Sequence, residues 1–310
     1  MKAIVCAYHN IGCIGLKSLL EAGIDVLAVF THIDSENENI FFESVATLAS
    51  TEGIPVYSPE DINHPLWISK IAKMQPDIIF SFYYRDMICE EILNIPEKGA
   101  FNLHGSLLPA YRGRAPVNWV LVNGEEETGV TLHRMTVKPD AGDIVAQSRL
   151  KISGSDDAAT LHQKLTVLAG ELLEDVLPLF VTDSVTLIPQ DSSKASYFGK
   201  RTPSDGKINW HTNALNVYNL VRAVTKPFPG AFTFLREQKV VIWRSEILVI
   251  EHNHVPGTII SCNPLTVACE KFALIIHTGQ LQNGVYVSGL QLADEMHLVE
   301  GMCLVCRLVL

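Results

Sequence analysis

The sequence predicts a two-domain chain: an α/β domain on a doubly wound, mostly parallel sheet (residues 1–185), then a smaller C-terminal β-barrel (205–310). Three observations predict it. Through the first span, short apolar runs alternate with segments of helical periodicity, the β-α-β rhythm of a parallel sheet covered on both faces. Around residues 186–204 the composition turns to Ser, Lys, Gly and Pro (DSSKASYFGKRTPSDG), a linker signature with room for a short hairpin. Beyond it, many short apolar runs follow one another between turn residues, as in a small barrel.

Taken in order, KAIVCAY is a strand, and IGCIGLKSLLEAG is a helix whose C-cap falls at Gly23. DVLAVFT is the second strand, FFESVATLASTEG a helix and IPVYS a strand. HPLWISKIAKM is a helix opened by Pro65. PDIIFSFYY is almost wholly apolar, as a central strand must be when both faces are covered. DMICEEIL makes a short helix and KGAFNLH a strand; TGVTLHRM and DIVAQSRLKI add a further pair. The amphipathic stretch DAATLHQKLTVLAGELLEDVLPLF closes the domain. After the linker come one helix, ALNVYNLVRAVTK, and the runs AFTFL, KVVIW, ILVI, GTII, LTVAC, ALIIHT, VYVSG and CLVCRLVL.

Composition narrows the function classes. At 310 residues the chain can bury two cores, and 47% hydrophobic with 19% charged residues is a soluble globular balance. No apolar run approaches bilayer length, and MKAIVCAYHN reads as a first strand, not a secretory signal. Seven scattered cysteines suit reduced thiols and a cytoplasmic protein. The lone C-x-x-C of Cys303 and Cys306 has no second ligand pair, so buried strand cysteines are expected there and no metal. A formal charge of −10 argues against non-specific nucleic-acid binding.

One stretch carries chemistry: FNLHGSLLPAYRGRAPVNW, Phe101 to Trp119. Side chains two apart on a strand share a face, so Asn102 and His104 project together at a strand end. In open α/β sheets the ligand crevice lies beyond the carboxyl ends of the strands. Downstream, TVKPDAGD sets Asp140 in a Pro-Gly loop. If Asp140 reaches His104, it favours the imidazolium, and an amide beside an imidazolium stabilises an oxyanion on an attacked carbonyl. The plainer reading is a structural Asn beside a histidine that satisfies loop carbonyls. The turn HNIGCIG, with Asp34 further on, is only a partial dinucleotide fingerprint, because the first glycine is missing. A tight helix–sheet turn is favoured there, and no NAD is expected on this chain.

With FNLHGSLLP, YRGRAPVNW and the later DAGDI in view, the chain resembles the folate-dependent formyltransferases over essentially its whole length. The resemblance implies a Rossmann-like catalytic domain and an OB-like C-terminal barrel. It implies Asn102, His104 and Asp140 as the catalytic trio and N10-formyltetrahydrofolate as formyl donor. It lays the donor along Asp86, Met87 and Ile88, Arg114, and Thr136, Val137, Lys138 and Pro139. Pro139 departs from the family's pattern and stiffens the loop before Asp140.

The acceptor is read from charge and local wording. A barrel that grips tRNA should be basic, yet from Asp205 onward eight basic side chains meet eight acidic ones. Transfer to methionyl-tRNA is therefore the lesser alternative, beside other sugar-nucleotide formyltransferases. AYHNIGCIGLKSLL, DIIFSFYYRDMI, HGSLLPAYRGRAPVNWVLVNGE and FGKRTP are similar to the branch that formylates UDP-4-amino-4-deoxy-L-arabinose in lipid A modification and polymyxin resistance. In that branch a decarboxylase domain follows, so this chain is expected to be one half of a fused protein. Arg112 and Arg201 suit a UDP diphosphate, and read equally well as solvated surface arginines. An NAD(P) oxidoreductase or a non-catalytic folate-binding module are the readings of other classes.

Overall fold

A computed structural model describes residues 1–34, 39–282 and 284–304. The chain forms two compact units, neither continuous in sequence. The first comprises Met1–Pro116, Glu127–Lys151 and His162–Gly199; the second takes Val117–Glu126, Ile152–Leu161 and the chain from Lys200 on. Two short segments of the span 1–185 thus belong to the second unit.

The first unit is built on β1 (Lys2–Ala7), α1 (His9–Glu21), β2 (Asp25–Phe30), α2 (Val45–Thr51), β3 (Val56–Tyr57), α3 (Pro65–Met74), β4 (Ile78–Phe82), α4 (Glu90–Leu93) and β5 (Ala100–His104). It continues through β6 (Arg112–Gly113), β7 (Glu127–Arg134), β8 (Ile144–Lys151), most of α6 (Ala158–Val181) and β9 (Tyr197–Phe198), whereas α5 (Pro116–Val122) falls, after its first residue, in the second unit. The main sheet has the order β3-β2-β1-β4-β5-β7-β8. Its first five strands are parallel, and the last two, expected only as a further pair, are antiparallel. All five residues of β4 are buried, which is why PDIIFSFYY shows no alternation.

Local chemistry sets the element ends. Ser44 accepts from the Thr47 amide and caps α2, so FFES lies outside the helix that the apolar pattern suggested. Gly23 stands just past the end of α1 with φ +69°, a conformation glycine adopts without steric cost. Gly12 and Gly15 serve close packing: a Cβ on Gly12 would meet Val45 at 2.8 Å, and one on Gly15 the Phe82 ring at 2.4 Å.

The second unit holds α7 (Ala214–Val224) and an antiparallel sheet. Its strands are β10 (Ala231–Leu235), β11 (Gln238–Leu248), β12 (Ile259–Cys262), β13 (Leu265–Ala268), β14 (Ala273–Leu281) and β15 (Tyr286–Ser288). KVVIW and the first half of ILVI, which look like parts of two strands, belong to one: β11 runs through to Leu248 with register shifts around Arg244. A short helix, α8 (Gly289–Glu295), follows β15, opened by a capping box of Ser288 and Gln291. The six described cysteines are free thiols; Cys306 lies outside the described residues, and the C-x-x-C expectation with it. Among the described residues no helix is long and apolar enough to cross a membrane.

The packing of α1 on β4 gives a first test. Gly15→Ala puts a methyl into the Phe82 ring, so urea unfolding should register a loss of about 1–3 kcal/mol, the usual range for overpacking. Wild-type stability in this variant would mean that α1 stands further from β4 than described.

Candidate functional site

The site begins with register. Antiparallel pairing sets Asn102 opposite His133 and His104 opposite Thr131, so four side chains of β5 and β7 share one face. Beyond His104 the chain turns sharply, and that turn is fastened to β7. The Thr131 hydroxyl donates to the Ser106 carbonyl at 2.6 Å and accepts from the Leu108 amide at 3.1 Å. Gln147 on β8 adds a donor to the Leu108 carbonyl.

The loop then pairs with a distant segment. β6 and β9 form a two-residue parallel ladder, extended by Arg112 N–H to Ser196 O and Arg114 N–H to Phe198 O. The Tyr111 ring stacks on Phe198 with centroids 4.7 Å apart. Gly113 has φ +98°, and a Cβ there would meet the Phe198 carbonyl at 2.2 Å; this position requires glycine.

Asp140 sits at the centre of the assembled groups. Oδ1 lies 3.6 Å from His104 Nδ1 and 3.4 Å from His133 Nε2, while Oδ2 accepts from the Gly113 amide at 2.8 Å. Burial opposes its charge, but the two imidazoles and the Gly113 N–H outweigh that and hold the carboxyl well below the usual carboxylate range. The three residues singled out as a trio, Asn102, His104 and Asp140, are therefore neighbours.

The ring nitrogens can be assigned by partner. His104 Nε2 is 2.8 Å from the Tyr111 carbonyl, which can only accept, so Nε2 carries a hydrogen. His104 Nδ1 faces a carboxylate. Both nitrogens thus meet acceptors, the arrangement that suits an imidazolium. His133 Nδ1 donates to the Arg134 carbonyl at 2.9 Å, and its Nε2 lies 3.3 Å from Asn102 Nδ2. His133 is the member that reading the sequence missed. It lay within a strand taken only as structural, and its place opposite Asn102 depends on a strand register that the local sequence does not carry.

The residues assigned to the donor fall into two neighbouring segments. Ile88 is buried, in an apolar cluster against which Met135 also packs, so residues 86–88 and 136–139 leave the same patch of core. Asp86 and Met87 are exposed, and so are Thr136, Val137, Lys138 and Pro139. Arg114 donates to the Arg85 carbonyl at 2.7 Å, which ties the opening loop to the first segment. The Ile88 side chain faces the core and leaves only its backbone for a ligand.

Of the two arginines considered for a diphosphate, Arg112 does not fit that expectation. Arg112 is 2% exposed, its guanidinium donating to Gln190 and Tyr197, so it is neither solvated nor open to an anion. Arg201 lies over the Trp119 ring at 4.5 Å. In HNIGCIG the glycines pack helix on sheet, and Asp34 accepts from the Tyr8 hydroxyl. Among the described residues no group of three or more His, Cys, Asp or Glu is placed to hold a metal ion.

Comparison with known proteins identifies the class. The formyl transferase model matches residues 16–177, and the formyl transferase C-terminal domain model matches 200–296. The chain belongs to the formyl transferase family. Its fold is similar to an N-formyltransferase from Helicobacter canadensis in complex with folinic acid and dTDP-3-aminofucose (TM-score 0.69, 21% identity, 89% of this chain and 98% of that one). It is also similar to WlaRD, a sugar 3N-formyltransferase studied with dTDP and 5-N-formyl-THF (TM-score 0.70, 19% identity, 92% and 99% covered). A methionyl-tRNA formyltransferase from Clostridium thermocellum is a more distant match (TM-score 0.55, 17% identity, 79% and 93%).

The depressed Asp140 carboxyl has a pH consequence. Its folded value lies below the unfolded one, so its contribution to stability is present above about pH 4 and lost as pH falls through the folded value. Urea unfolding should find wild type more stable than Asp140→Asn at pH 7, with the gap closing in acid. A gap that stayed constant down to pH 2.5 would mean the carboxylate is not held as described.

Proposed function

We propose that this chain transfers a formyl group from N10-formyltetrahydrofolate to the 4-amino group of UDP-4-amino-4-deoxy-L-arabinose, in the cytoplasm, as a step of lipid A modification. The observation that carries the reaction type is the meeting of Asn102, His104 and Asp140 at the carboxyl end of β5. The acceptor rests on the local wording around Asn102 and on a C-terminal span without basic surplus, which gives tRNA nothing to favour it. Binding of folate and of an amino-sugar nucleotide by similar folds supports the substrate classes.

The roles follow from donor chemistry. The sugar amine, neutral when it reacts, attacks the formyl carbon, and negative charge collects on the formyl oxygen. Asn102 Nδ2, 3.3 Å from His133 Nε2, carries two hydrogens and offers one to that oxygen. His104 donates from Nε2, sharing with the oxyanion the hydrogen now held by the Tyr111 carbonyl. Asp140 balances the imidazolium from the other side of the ring. As the intermediate collapses, the C–N10 bond breaks, His104 delivers a proton to the leaving nitrogen, and the attacking nitrogen gives up one of its own protons, which restores the imidazolium. The exposed Asp86 and Met87, the backbone of Ile88, Arg114 and the exposed residues 136–139 would hold the folate.

The deciding assay measures formyl transfer to a panel of amino-sugar nucleotides and to charged methionyl-tRNA. Highest kcat/KM on the UDP-4-amino sugar is expected; preference for tRNA would overturn the acceptor. His104→Ala should abolish turnover while folate binding by calorimetry stays near wild type. Asn102→Ala, losing one oxyanion donor, should lower kcat on the order of 10²–10³ with little change in KM. A defect confined to KM would make Asn102 a substrate-positioning group.

A further inference from the structure

Arg112 is a cation withdrawn from water, and its hydrogen-bond partners are neutral. Nε and Nη2 both donate to Gln190 Oε1, at 3.1 and 2.6 Å, and Nη1 donates to the Tyr197 hydroxyl at 2.7 Å. Its position has a directional consequence. A guanidinium has only donors, so it compels the Gln190 amide to turn its oxygen inward. The amide nitrogen must then point the opposite way. There it donates to two carbonyls, Asp140 O at 2.9 Å and Gly142 O at 2.6 Å.

Those two carbonyls belong to the turn that aims the Asp140 side chain. Asp140 has φ +51°, in the left-handed region, so its carboxylate turns back toward β5 and β7. Gly142 is pressed against β7, where a Cβ would meet the Arg134 carbonyl at 2.0 Å. The carboxylate's remaining oxygen is bound by the amide of Gly113, the residue after Arg112. The hydrogen bonds close a circuit: Arg112 side chain, Gln190, Asp140 backbone, Asp140 carboxylate, Gly113 amide. The β6–β9 ladder holds the Arg112 end, and the Ile144–Ile188 bridge brings Gln190 alongside the turn.

We propose that Arg112 and Gln190 are positioning residues for formyl transfer: Arg112 fixes which way the Gln190 amide points, and Gln190 fixes where the Asp140 carboxylate stands beside His104. The proposal rests on the trio reading given above, and places the control of that trio on two residues outside it. Neither has to touch folate or sugar for this role.

The test uses the full chain. Gln190→Glu keeps shape and a partner for Arg112, but sets an oxygen against two carbonyls. Gln190→Leu removes both donors, and Arg112→Lys removes the fork that turns the amide. Each should lower kcat on the order of tenfold to a hundredfold, with KM for donor and acceptor within about twofold of wild type. Histidine ring ¹⁵N shifts, read without substrate, should move for His104 and His133 in Gln190→Glu. They should not move further when that change is added to Asp140→Asn. A folded Gln190→Glu with unchanged kcat and ring shifts, beside an inactive Asp140→Asn, overturns the relay and leaves the trio standing. Full activity in Asp140→Asn instead overturns the trio reading; the ring shifts then decide the relay alone, supporting it if displaced and rejecting it if not.

Discussion

A carboxylate taken most of the way out of water governs this site. Asp140 keeps only 13% of its side-chain surface, and a charge so placed survives only with hydrogen-bond donors or opposite charge around it. The fold supplies these from three directions: His104 at the end of β5, His133 on β7 and the Gly113 amide on β6. A one-residue slip of β7 against β5 would turn His133 to the other face of the sheet and leave the carboxylate with less compensation than its burial demands. Register and electrostatics thus support one another.

The loop from Gly105 to Ala115 carries positive φ at Tyr111, Gly113 and Ala115, and Asp140 faces it with a fourth. Such positions cost roughly 1–3 kcal/mol each for a residue with a side chain, and persist where surroundings over-determine them. Here the surroundings are the Thr131 hydroxyl clamped between Ser106 and Leu108, the short ladder with β9, and the Tyr111–Phe198 stack. The loop's glycines and prolines give its turn, and long-range partners give its rigidity.

How much of this was legible depends on the range of the interaction. The pairing of Asn102 with His104 follows from the two-residue period of a strand, and the parallel sheet from uninterrupted apolar runs such as β4. Antiparallel register between β5 and β7 cannot be read locally, so His133 stayed hidden in TGVTLHRM. Arg112 was opaque for the same reason. Within a Gly-Pro-Arg loop an arginine reads as solvated, and the glutamine that buries it lies 78 residues away. The α8 helix had a local signal, the Ser288–Gln291 capping box, lost among runs that read as strands.

The inventory of groups also constrains the course of the reaction. Around the end of β5 the polar side chains are donors or are committed to donors: an amide, two imidazoles and a carboxylate engaged on both oxygens. The one hydroxyl close in sequence, Ser106, is fully buried and gives its hydrogen to the Ala110 carbonyl. It has no base beside it to make it a nucleophile, as covalent catalysis would need. A site of this kind stabilises charge that develops on a substrate and leaves the attacking atom to a second substrate. Direct transfer between two bound molecules is the chemistry that suits it. On the proposed reading, the reactive amine and the formyl carbon meet within reach of Asn102 and His104, and Asp140 holds the second of these directly.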